Sequence, residues 1–560
     1  MNVNPSSQFE PGMEDTALFN VGQLLTRAAQ TWPQHPAVAV PQKKGWQQVT
    51  YRELEKDSNS LAVGLAWSGI TPNQRVAMLV PPGIDFIALV FALFKARANI
   101  ILIDPGIGKK NLIKCLSDAE PECVIGIAKA QIARWIYRKQ FPKVKRNFVV
   151  GRRQWPGCKS IEQLRSRYAD AEFDYTPHAD DDAAAIIFTS GSTGAPKGVA
   201  YSHRNFIHQA IEVRDYFGIE PGGADVSGFP LFALFNTGMG KTTVFPKMDF
   251  TRPADVSPPL FLEAAKHWKA DQAFGSPALW NTVSRWCEKN KQTLPSIQRA
   301  LSAGAPVPAH VLKRVKKIIA KEGEVYTPYG ATEALPVACN SASVVLAETG
   351  AATQTGKGVC VGGHFPGIQW KVIEISDEPI SSIDDIREVP AGKIGELIVK
   401  GAVVTQRYVT RKDANALAKI KDGDRVWHRM GDLGYLDAKD RFWFCGRKTQ
   451  RIRSAAGLLF TVPCESIVNT HPAIYRSALI GLPDGADQRP LIVAEPWPEH
   501  WPDGEQRKQR LLSELRELVA SHELTKAIQE VRLLKKLPVD IRHNSKIFRE
   551  RLTEMMSARD

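Results

Sequence analysis

The chain has 560 residues, of which 43% are apolar and 24% are charged, and these proportions exclude a disordered or fibrous protein. One hydrophobic core does not grow to this length, so we expect a large domain with a smaller one, or two large domains. The formal net charge of +14 would suit an anionic partner such as a nucleotide, a nucleic acid or a membrane surface. Because lysine and arginine are spread along the whole chain, we interpret this charge mainly as a solvated basic surface and expect no nucleic-acid partner.

Short apolar strands alternate with amphipathic helices between about residues 20 and 130. The pattern predicts helices at 21–29 and 51–67 and strands at 37–40 and 76–80. Strands separated by helices of this length form parallel βαβ units, which indicates an α/β fold. The most apolar run, 84–104, is interrupted by Lys95 and Arg97. We expect a buried helix and then a strand there, and no transmembrane segment, because a bilayer span needs about 20 uninterrupted apolar residues.

The same alternation returns further along the chain. It predicts a strand at 184–188, a helix at 203–216 and a strand near 273–274. Short strands at 369–375 and 395–399 predict a small β subdomain, and a more basic α+β segment follows Arg447. We therefore expect a large N-terminal α/β domain, residues 1–449, and a smaller α+β C-terminal domain, residues 450–560.

The cysteines and the N-terminus bear on the cellular compartment. The eight cysteines form no CxxC pair, and no histidines lie at zinc-ligand spacing, which indicates reduced thiols in a cytoplasmic protein. The N-terminal segment is polar and acidic, unlike a secretory signal.

The strongest chemical signal is a Gly/Ser/Thr-rich stretch directly after the apolar strand at 184–188. Its glycines let the backbone approach a ligand closely, its hydroxyls and amides donate hydrogen bonds, and its lysine adds a mobile positive charge. It lacks the spacing of a P-loop, but the composition indicates a polyphosphate-binding loop. The residues concerned are Thr189, Ser190, Gly191, Ser192, Thr193, Gly194 and Lys197.

Two later segments carry further polar groups. Residues 326–333 place Thr332 and Glu333 in what we expect to be a glycine-containing turn, where the carboxylate can bind Mg²⁺. Asp432 and Arg447 lie in two segments that bracket a predicted hairpin. An aspartate can accept both ribose hydroxyls, and an arginine can pair with phosphate.

In this order, the segments resemble the adenylate-forming superfamily of acyl-CoA synthetases, luciferases and peptide-synthetase adenylation domains, over nearly the whole chain. The resemblance implies ATP and Mg²⁺ as cofactors and a mobile C-terminal domain. It also implies one role for each matching position. Thr189–Lys197 would be the phosphate loop. Gly304, Ala305 and Pro306 would bind adenine, Tyr329 would stack on it, and Gly330 would also belong to the nucleotide site. Thr332 would contact the phosphate, Glu333 would bind Mg²⁺, Asp432 would hold the ribose, Arg447 would contact the nucleotide, and Lys546, in the segment 538–547, would be the adenylation lysine.

The chemistry that this resemblance implies needs these charges. A carboxylate attacks the α-phosphorus of ATP, and negative charge builds on the phosphate oxygens. Mg²⁺ and Lys546 would neutralise that charge as pyrophosphate leaves. The carboxylate is already ionised near pH 7, so this step needs no general base.

The sequence departs from the acyl-CoA synthetase pattern at three places. Ala233 stands where a gating histidine is common, Gln450 stands where the hinge usually has an acid, and the basic loop at 453–457 is altered. These departures put thiol delivery by coenzyme A in doubt.

The same departures resemble one branch, the olefin β-lactone synthetases of bacterial long-chain hydrocarbon biosynthesis. Matching strings lie at 104–107, 232–235, 248–254, 274–279, 326–333, 428–432, 444–451 and 538–547. The resemblance implies a 2-alkyl-3-hydroxyalkanoate substrate whose carboxylate is adenylated and whose own 3-hydroxyl then closes a β-lactone. It also implies partnership with a thiolase-like condensing enzyme, a reductase and a β-lactone decarboxylase.

The two alkyl chains of such a substrate need an apolar pocket. Its expected lining is Phe229, Phe232, Ala233, Phe235, Phe274 and Leu335. His203 and His543 are candidates for the base that takes the hydroxyl proton, although a structural role is the more common one for a histidine.

Three alternatives remain open from the sequence. The chain could be a medium- or long-chain fatty acyl-CoA ligase, a fatty acyl-AMP ligase that loads a carrier protein, or a degenerate nucleotide-binding scaffold. The last is disfavoured because all the expected polar residues are present: Lys197, Thr332, Glu333, Asp432, Arg447 and Lys546.

Overall fold

The computed structural model describes residues 18–151, 155–189, 195–540 and 546–558. The helices are α1 (Gly22–Thr31), α2 (Tyr51–Trp67), α3 (Ile84–Lys95), α4 (Lys109–Asp118), α5 (Ala128–Ile136), α6 (Ile161–Arg167), α7 (His203–Phe217), α8 (Phe232–Gly238), α9 (Pro258–His267), α10 (Pro277–Asn290), α11 (Ala309–Ile318), α12 (Ala342–Val344), α13 (Gly350–Gln354), α14 (Ala414–Ala418), α15 (Thr461–Val468), α16 (Glu505–Ala520) and α17 (Arg549–Ser557).

The strands belong to four sheets. They are β1 (Pro36–Pro41), β2 (Trp46–Thr50), β3 (Arg75–Leu79), β4 (Asn99–Leu102), β5 (Cys123–Ile127), β6 (Arg146–Val150), β7 (Lys159–Ser160), β8 (Ala183–Phe188), β9 (Gly198–Ser202), β10 (Ala224–Ser227), β11 (Thr242–Val244), β12 (Gln272–Gly275), β13 (Arg299–Ser302), β14 (Glu324–Ala331), β15 (Ala334–Ser341), β16 (Val359–His364), β17 (Ile368–Ile373), β18 (Gly395–Gly401), β19 (Lys419–Asp422), β20 (Arg425–Leu436), β21 (Phe442–Arg447), β22 (Ile452–Ser454), β23 (Gly457–Leu459), β24 (Ile474–Asp484), β25 (Asp487–Pro496) and β26 (Glu530–Leu533).

The first sheet has the order β7-β6-β5-β3-β4-β8-β9. Its strands run parallel except for β9, which pairs antiparallel with β8. Helix α3, which is buried from Phe86 to Lys95, leads to β4, which is buried along its length. The apolar run that contains Lys95 is therefore a helix and then a strand, as the sequence predicts. Within the described ranges, no helix is long and apolar enough to cross a membrane.

The second sheet is larger, and it positions most of the predicted site. Its central strands β10, β11, β12, β13 and β14 pair in parallel, and β14 then pairs antiparallel with β15. Through β16 the sheet continues into β21, β20, β18 and β17. The β subdomain that the sequence predicts is therefore one end of this sheet.

Local sequence determines where several elements begin. Thr50 caps α2: its hydroxyl accepts the backbone N–H of Glu53, and the Glu53 carboxylate accepts the backbone N–H of Thr50. Ser202 and Asn205 form the same reciprocal cap on α7. Such caps satisfy N–H groups that the first turn of a helix leaves without partners.

The C-terminal part contains the three-stranded sheet β24-β25-β26, against which α16 and α17 pack. Leu479, Ile492 and Leu515 are fully buried in the core between α16 and this sheet. The α/β class predicted from the sequence, with a small α+β part at the C-terminus, is confirmed.

Two local predictions were wrong in part. Thr332 and Glu333 do form a turn, but the glycine of their segment is not in it, because Tyr326–Ala331 belongs to β14, which pairs with β13 and β15. Gly330 lies at a register shift in this ladder, where a Cβ would approach the carbonyl oxygen of Ala334 to 2.7 Å. The segments with Asp432 and Arg447 do not bracket a hairpin but form its two strands.

No disulfide joins the eight cysteines, all of which lie in the described ranges. Seven of them are buried, and Cys158 is half-buried.

Candidate active site

The ends of the predicted phosphate loop are held together between β8 and β9. The amide of Thr189 donates to the carbonyl of Lys197 at 3.0 Å, and the amide of Lys197 donates to the Thr189 hydroxyl at 3.0 Å. The predicted phosphate contacts between them, Ser190, Gly191, Ser192, Thr193 and Gly194, lie outside the described residues. These two hydrogen bonds fix Lys197 at the base of the loop.

Thr332 and Glu333 form the turn between β14 and β15, and their backbone is anchored on both sides. The Tyr201 hydroxyl donates to the Thr332 carbonyl at 2.6 Å. The amide and hydroxyl of Thr405 donate to the Glu333 carbonyl at 3.0 and 2.9 Å. Because Tyr201 lies on β9, the turn is tied to the strand that follows the phosphate loop.

The Glu333 carboxylate is oriented by a tyrosine that the sequence analysis did not identify. The Tyr408 hydroxyl donates to Oε1 of Glu333 at 2.6 Å. Lys197 Nζ lies 4.8 Å from the centroid of the Tyr408 ring, within cation–π range. The ring of Tyr408 therefore connects the lysine of the phosphate loop to the predicted Mg²⁺ ligand.

A second lysine, Lys419, lies behind Tyr408. Its ammonium group is 5.8 Å from the Tyr408 ring centroid and donates to the carbonyl of Thr405. Burial lowers the pKa of Lys419 to about 7, the Glu333 carboxylate opposes this shift, and Lys197 adds to it. The Glu333 carboxylate and the Lys419 ammonium group are therefore close enough to interact electrostatically.

The residues predicted to hold adenosine come from the ends of β14 and β21 and from within β20. The Tyr329 hydroxyl donates to Asp432 at 2.5 Å, and Arg447 Nη1 lies 2.9 Å from the other carboxylate oxygen. Arg447 also donates to the Met430 carbonyl at 2.9 Å. Asp432 and Arg447 are register partners across β20 and β21, so the ladder itself brings them together.

The electrostatics of this group depend on burial. Burial raises the pKa of the Asp432 carboxyl, whereas Arg447, the Tyr329 hydroxyl and Lys546 lower it. The Asp432 carboxylate in turn raises the pKa of Arg447. A buried carboxylate paired with arginine is a strong acceptor in a fixed position, which suits hydroxyl groups of a sugar.

Lys546 reaches this group from the C-terminal part. Its charge is near enough to Asp432 to lower the pKa of that carboxyl. The described backbone on either side is fixed, since the backbone amide of Asp540 donates to the Lys546 carbonyl at 2.8 Å and Val539 pairs with Ile547. The structure therefore places the predicted adenylation lysine near the Asp432 carboxyl group.

The predicted adenine segment, 302–306, follows β13. The pairing of Leu301 with Tyr326 places this segment beside the part of β14 that leads to Tyr329. Gly304 has φ = 100°, which favours glycine, and Ala305 and Pro306 follow it. The hydroxyl of Ser302 is buried and has no hydrogen-bond partner within the described residues, so a polar group of a ligand could bond to it.

The predicted acyl-pocket phenylalanines form one aromatic cluster. Phe232 and Phe274 stack at 4.6 Å, Phe229 lies 5.8 Å from Phe274, and Phe235 meets Phe232 edge to face at 6.1 Å. Phe229 is 44% exposed, whereas Phe232 is buried. The cluster therefore reaches from the core to the surface. Leu335, also predicted to line the pocket, is half-buried on β15.

Two further predicted residues, Ala233 and the candidate base His203, are fully buried. Ala233, on α8, is fully buried in the core. His203 is also fully buried, its Nδ1 accepts the Val21 amide at 3.2 Å, and burial lowers its pKa to about 3. This environment indicates a neutral structural histidine. His543 lies outside the described residues.

The linker after β21 is tied to both parts of the chain. Gln450 accepts a hydrogen bond from Arg549 at 3.2 Å, and Arg549 also pairs with Glu465. Asp377, between β17 and β18, pairs with Arg451 and Arg453. Gln450 therefore bonds to a cation at the position where a hinge acid is common.

Comparison with known proteins shows to which family the chain belongs. The family model of the AMP-binding enzymes matches residues 25–409, which is more than half of the chain. The chain belongs to the AMP-binding enzymes. The predicted adenylate-forming resemblance and the prediction of an AMP-forming ligase are thereby confirmed.

Among curated AMP-binding relatives, the olefin β-lactone synthetase of Xanthomonas campestris is 39% identical over 96% of this chain and 97% of that protein. The 4-chlorobenzoate–CoA ligase of an Arthrobacter species is 25% identical over 80% of each chain. Among solved structures, the amide bond synthetase McbA of Marinactinospora thermotolerans has a TM-score of 0.77 at 20% identity, covering 96% of this chain and all of that chain. This structural likeness shows a shared fold.

Sequence motifs found most of the polar groups in this AMP-binding enzyme but missed Tyr408 and Lys419. Both lie outside any motif that the sequence analysis recognised. The one available signal for Lys419 is a charged residue directly before the apolar Ile420, at the start of a strand.

Proposed function

We propose that this AMP-binding enzyme adenylates the carboxylate of a 2-alkyl-3-hydroxyalkanoate and then closes the acyl adenylate to a β-lactone, releasing AMP. The observation that carries this proposal is the 39% identity to an olefin β-lactone synthetase along nearly the full length of both chains. The CoA ligase relative is more distant and matches a smaller part of the chain.

The site residues fit ATP as co-substrate. The buried Ser302 hydroxyl, which has no hydrogen-bond partner among the described residues, begins the segment with Gly304, and the paired carboxylate of Asp432 offers acceptors to a ribose. Lys197 and Lys546 supply positive charge for phosphate oxygens. We assign adenine to 302–306 and Tyr329, ribose to Asp432, and phosphates to Thr189–Lys197, Thr332 and Arg447.

The residues also fit Mg²⁺. Within the described ranges no three His, Cys, Asp or Glu side chains cluster around a possible metal position. Mg²⁺ in nucleotide enzymes is usually held by one or two carboxylates with substrate phosphates, so the single oriented carboxylate of Glu333 suits it. When bound, Mg²⁺ would neutralise charge on the triphosphate.

In the first step, a substrate carboxylate oxygen bonds to the α-phosphorus and the bond to pyrophosphate breaks. Tyr408 holds the Glu333 carboxylate in one orientation, and Lys546 adds charge on the side of Asp432. Fixed charges of this kind stabilise the phosphate oxygens in the transition state without rearranging.

In the second step, the 3-hydroxyl oxygen bonds to the acyl carbon, the carbon–oxygen bond to AMP breaks, and the hydroxyl proton passes to solvent water. The nucleophile belongs to the same molecule, so the site needs to hold one substrate in a bent conformation and needs no second binding tunnel. The aromatic cluster of Phe229, Phe232, Phe235 and Phe274 offers an apolar surface for the alkyl chains.

The substrate and product of this reaction define the neighbouring steps. A thiolase-like condensing enzyme followed by a reductase would supply a 2-alkyl-3-hydroxy acid, and a β-lactone decarboxylase would consume the lactone. The unpaired thiols of the chain suit a reducing compartment such as the cytoplasm.

Product analysis by NMR tests the proposal. Purified protein is incubated with ATP, Mg²⁺ and a synthetic 2-alkyl-3-hydroxyalkanoate, with and without coenzyme A. We expect a β-lactone, AMP and pyrophosphate at the same rate in both samples. A thioester that forms only with coenzyme A would contradict the proposal and identify an acyl-CoA ligase.

A further inference from the structure

Helix α5 turns its apolar side chains to solvent. Ile132, Trp135 and Ile136, spaced as one helix face, are 40%, 59% and 57% exposed. The residue that this helix buries is Gln131, whose side-chain amide donates to the Phe148 carbonyl at 2.8 Å. A surface helix normally buries its apolar stripe and exposes its polar face. Helix α5 does the opposite, and its glutamine anchor holds it that way.

The segment around this apolar face is strongly basic. From Cys123 to Gly151 the chain has seven lysines and arginines and no aspartate or glutamate. Lys129, Arg138 and Lys139 are exposed and take part in no ion pair within the described residues. The guanidinium of Arg138 lies 5.4 Å from the Trp135 ring centroid, so one cation borders the apolar face directly.

We propose that this surface, defined by Ile132, Trp135, Ile136, Lys129, Arg138 and Lys139, docks the enzyme on an anionic phospholipid bilayer. Exposed tryptophan and isoleucine insert at the boundary between headgroups and acyl chains, and the flanking cations pair with anionic headgroups. The run of seven cations without an acidic residue favours this partner, because an anionic leaflet attracts every lysine or arginine that lies near its surface.

Co-sedimentation with vesicles tests this proposal on the full-length protein. One set of vesicles is phosphatidylcholine, and the other contains phosphatidylglycerol as about one third of its lipid. We expect sedimentation with the second set only, and less of it as salt increases. Trp135→Ser with Ile136→Ser should lower vesicle affinity at least roughly tenfold, because two exposed apolar side chains no longer insert.

A second variant and a matched control separate the effect of the cations on vesicle binding from that of the apolar side chains. Arg138→Gln with Lys139→Gln should lower the affinity roughly fivefold or more and weaken its salt dependence. Trp67→Ser, which removes a tryptophan that is 77% exposed on α2, should leave vesicle binding unchanged. All three variants should retain adenylation of a dispersed substrate.

Three results would overturn the proposal. They are no sedimentation of the unmodified protein with phosphatidylglycerol vesicles, equal sedimentation of the Trp135/Ile136 variant, or equal binding to both vesicle sets. A dimer that the Trp135/Ile136 variant dissociates, without any change in vesicle binding, would instead show that the surface contacts a second copy of the chain.

Discussion

The Tyr408 hydroxyl lies 2.6 Å from a carboxylate oxygen of Glu333 and donates a hydrogen bond to it. Lys197 and Lys419 lie 4.8 and 5.8 Å from the Tyr408 ring centroid, so two lysines and the Glu333 carboxylate meet at one phenol. This arrangement orients the residue that we propose binds Mg²⁺, and it depends on a tyrosine that is far from Glu333 in sequence.

Removal of this hydroxyl should weaken the adenylation step. Tyr408→Phe keeps the ring but loses a hydrogen bond to a charged group, so we expect a roughly tenfold fall in kcat/KM and a higher Mg²⁺ requirement. The measurement is pyrophosphate release as a function of Mg²⁺ concentration. Tyr435→Phe, which removes a hydrogen bond to the Lys357 carbonyl, is the matched control. An unchanged Mg²⁺ requirement in the Tyr408 variant would show that the hydroxyl does not position Glu333.

Lys546 should act on the first step and much less on the second. Lys546→Ala removes a charge from the adenylation transition state, so we expect pyrophosphate release to slow roughly 10²–10³-fold. Lactone formation from a chemically prepared acyl adenylate should change far less. Lys535→Ala, an exposed lysine before the same loop, controls for the loss of charge. Equal losses in both steps would contradict this assignment.

Glu212 should make stability depend on pH. It is buried on α7, and burial raises the pKa of its carboxyl to about 7, although a hydrogen bond from the Gly367 amide opposes the shift. The unfolded value is about 4.3, so folding favours the protonated acid. The stability that Glu212 contributes to the folded protein is therefore fully present below about pH 4 and is lost as the pH rises through about 7.

Glu212→Gln should remove this dependence, because the amide stays neutral. From pH 5 to pH 8, the unfolding free energy of the unmodified protein should fall by on the order of 2 kcal/mol more than that of the variant. Urea unfolding at the two pH values measures it. Glu220→Gln, at an exposed position after α7, is the control. Its unfolding free energy should change between the two pH values as much as that of the unmodified protein.

Asp377 should protect the linker at the domain boundary that we propose near Gln450. Asp377 pairs with Arg451 and Arg453. Because exposed ion pairs contribute up to about 1 kcal/mol, Asp377→Asn should raise trypsin cleavage at the two arginines roughly two- to fivefold. Asp384→Asn, an exposed residue of the same connection between β17 and β18, is the control. Equal cleavage in both variants would indicate that the linker is held by other contacts.

The local sequence pattern was sufficient to predict many of the helices and strands. The predicted helix at 51–67 has the bounds of α2, because Thr50 and Glu53 mark its start in the sequence itself. The strand before the phosphate loop and the helix after it were predicted to within a residue or two.

Contacts between distant segments were not predictable in this way. Tyr326–Ala331 contains a proline and a glycine, which favour a turn locally, but pairing with β13 and β15 makes it a strand. Tyr408 and Lys419 acquire their role only when their segment folds against Glu333. In α5, the spacing of Ile132, Trp135 and Ile136 is typical of a core-facing stripe, and only the structure shows that Gln131 faces the sheet instead.

Isotope transfer tests ring closure through a carboxyl adenylate most directly. The substrate carboxylate is labelled with heavy oxygen, the 3-hydroxyl is left unlabelled, and AMP and the lactone are analysed by mass spectrometry. We predict one labelled oxygen in AMP, a labelled lactone carbonyl and an unlabelled ring oxygen. Unlabelled AMP with both heavy oxygens in the lactone would contradict the account, because it would mean that the hydroxyl, and not the carboxylate, is joined to AMP.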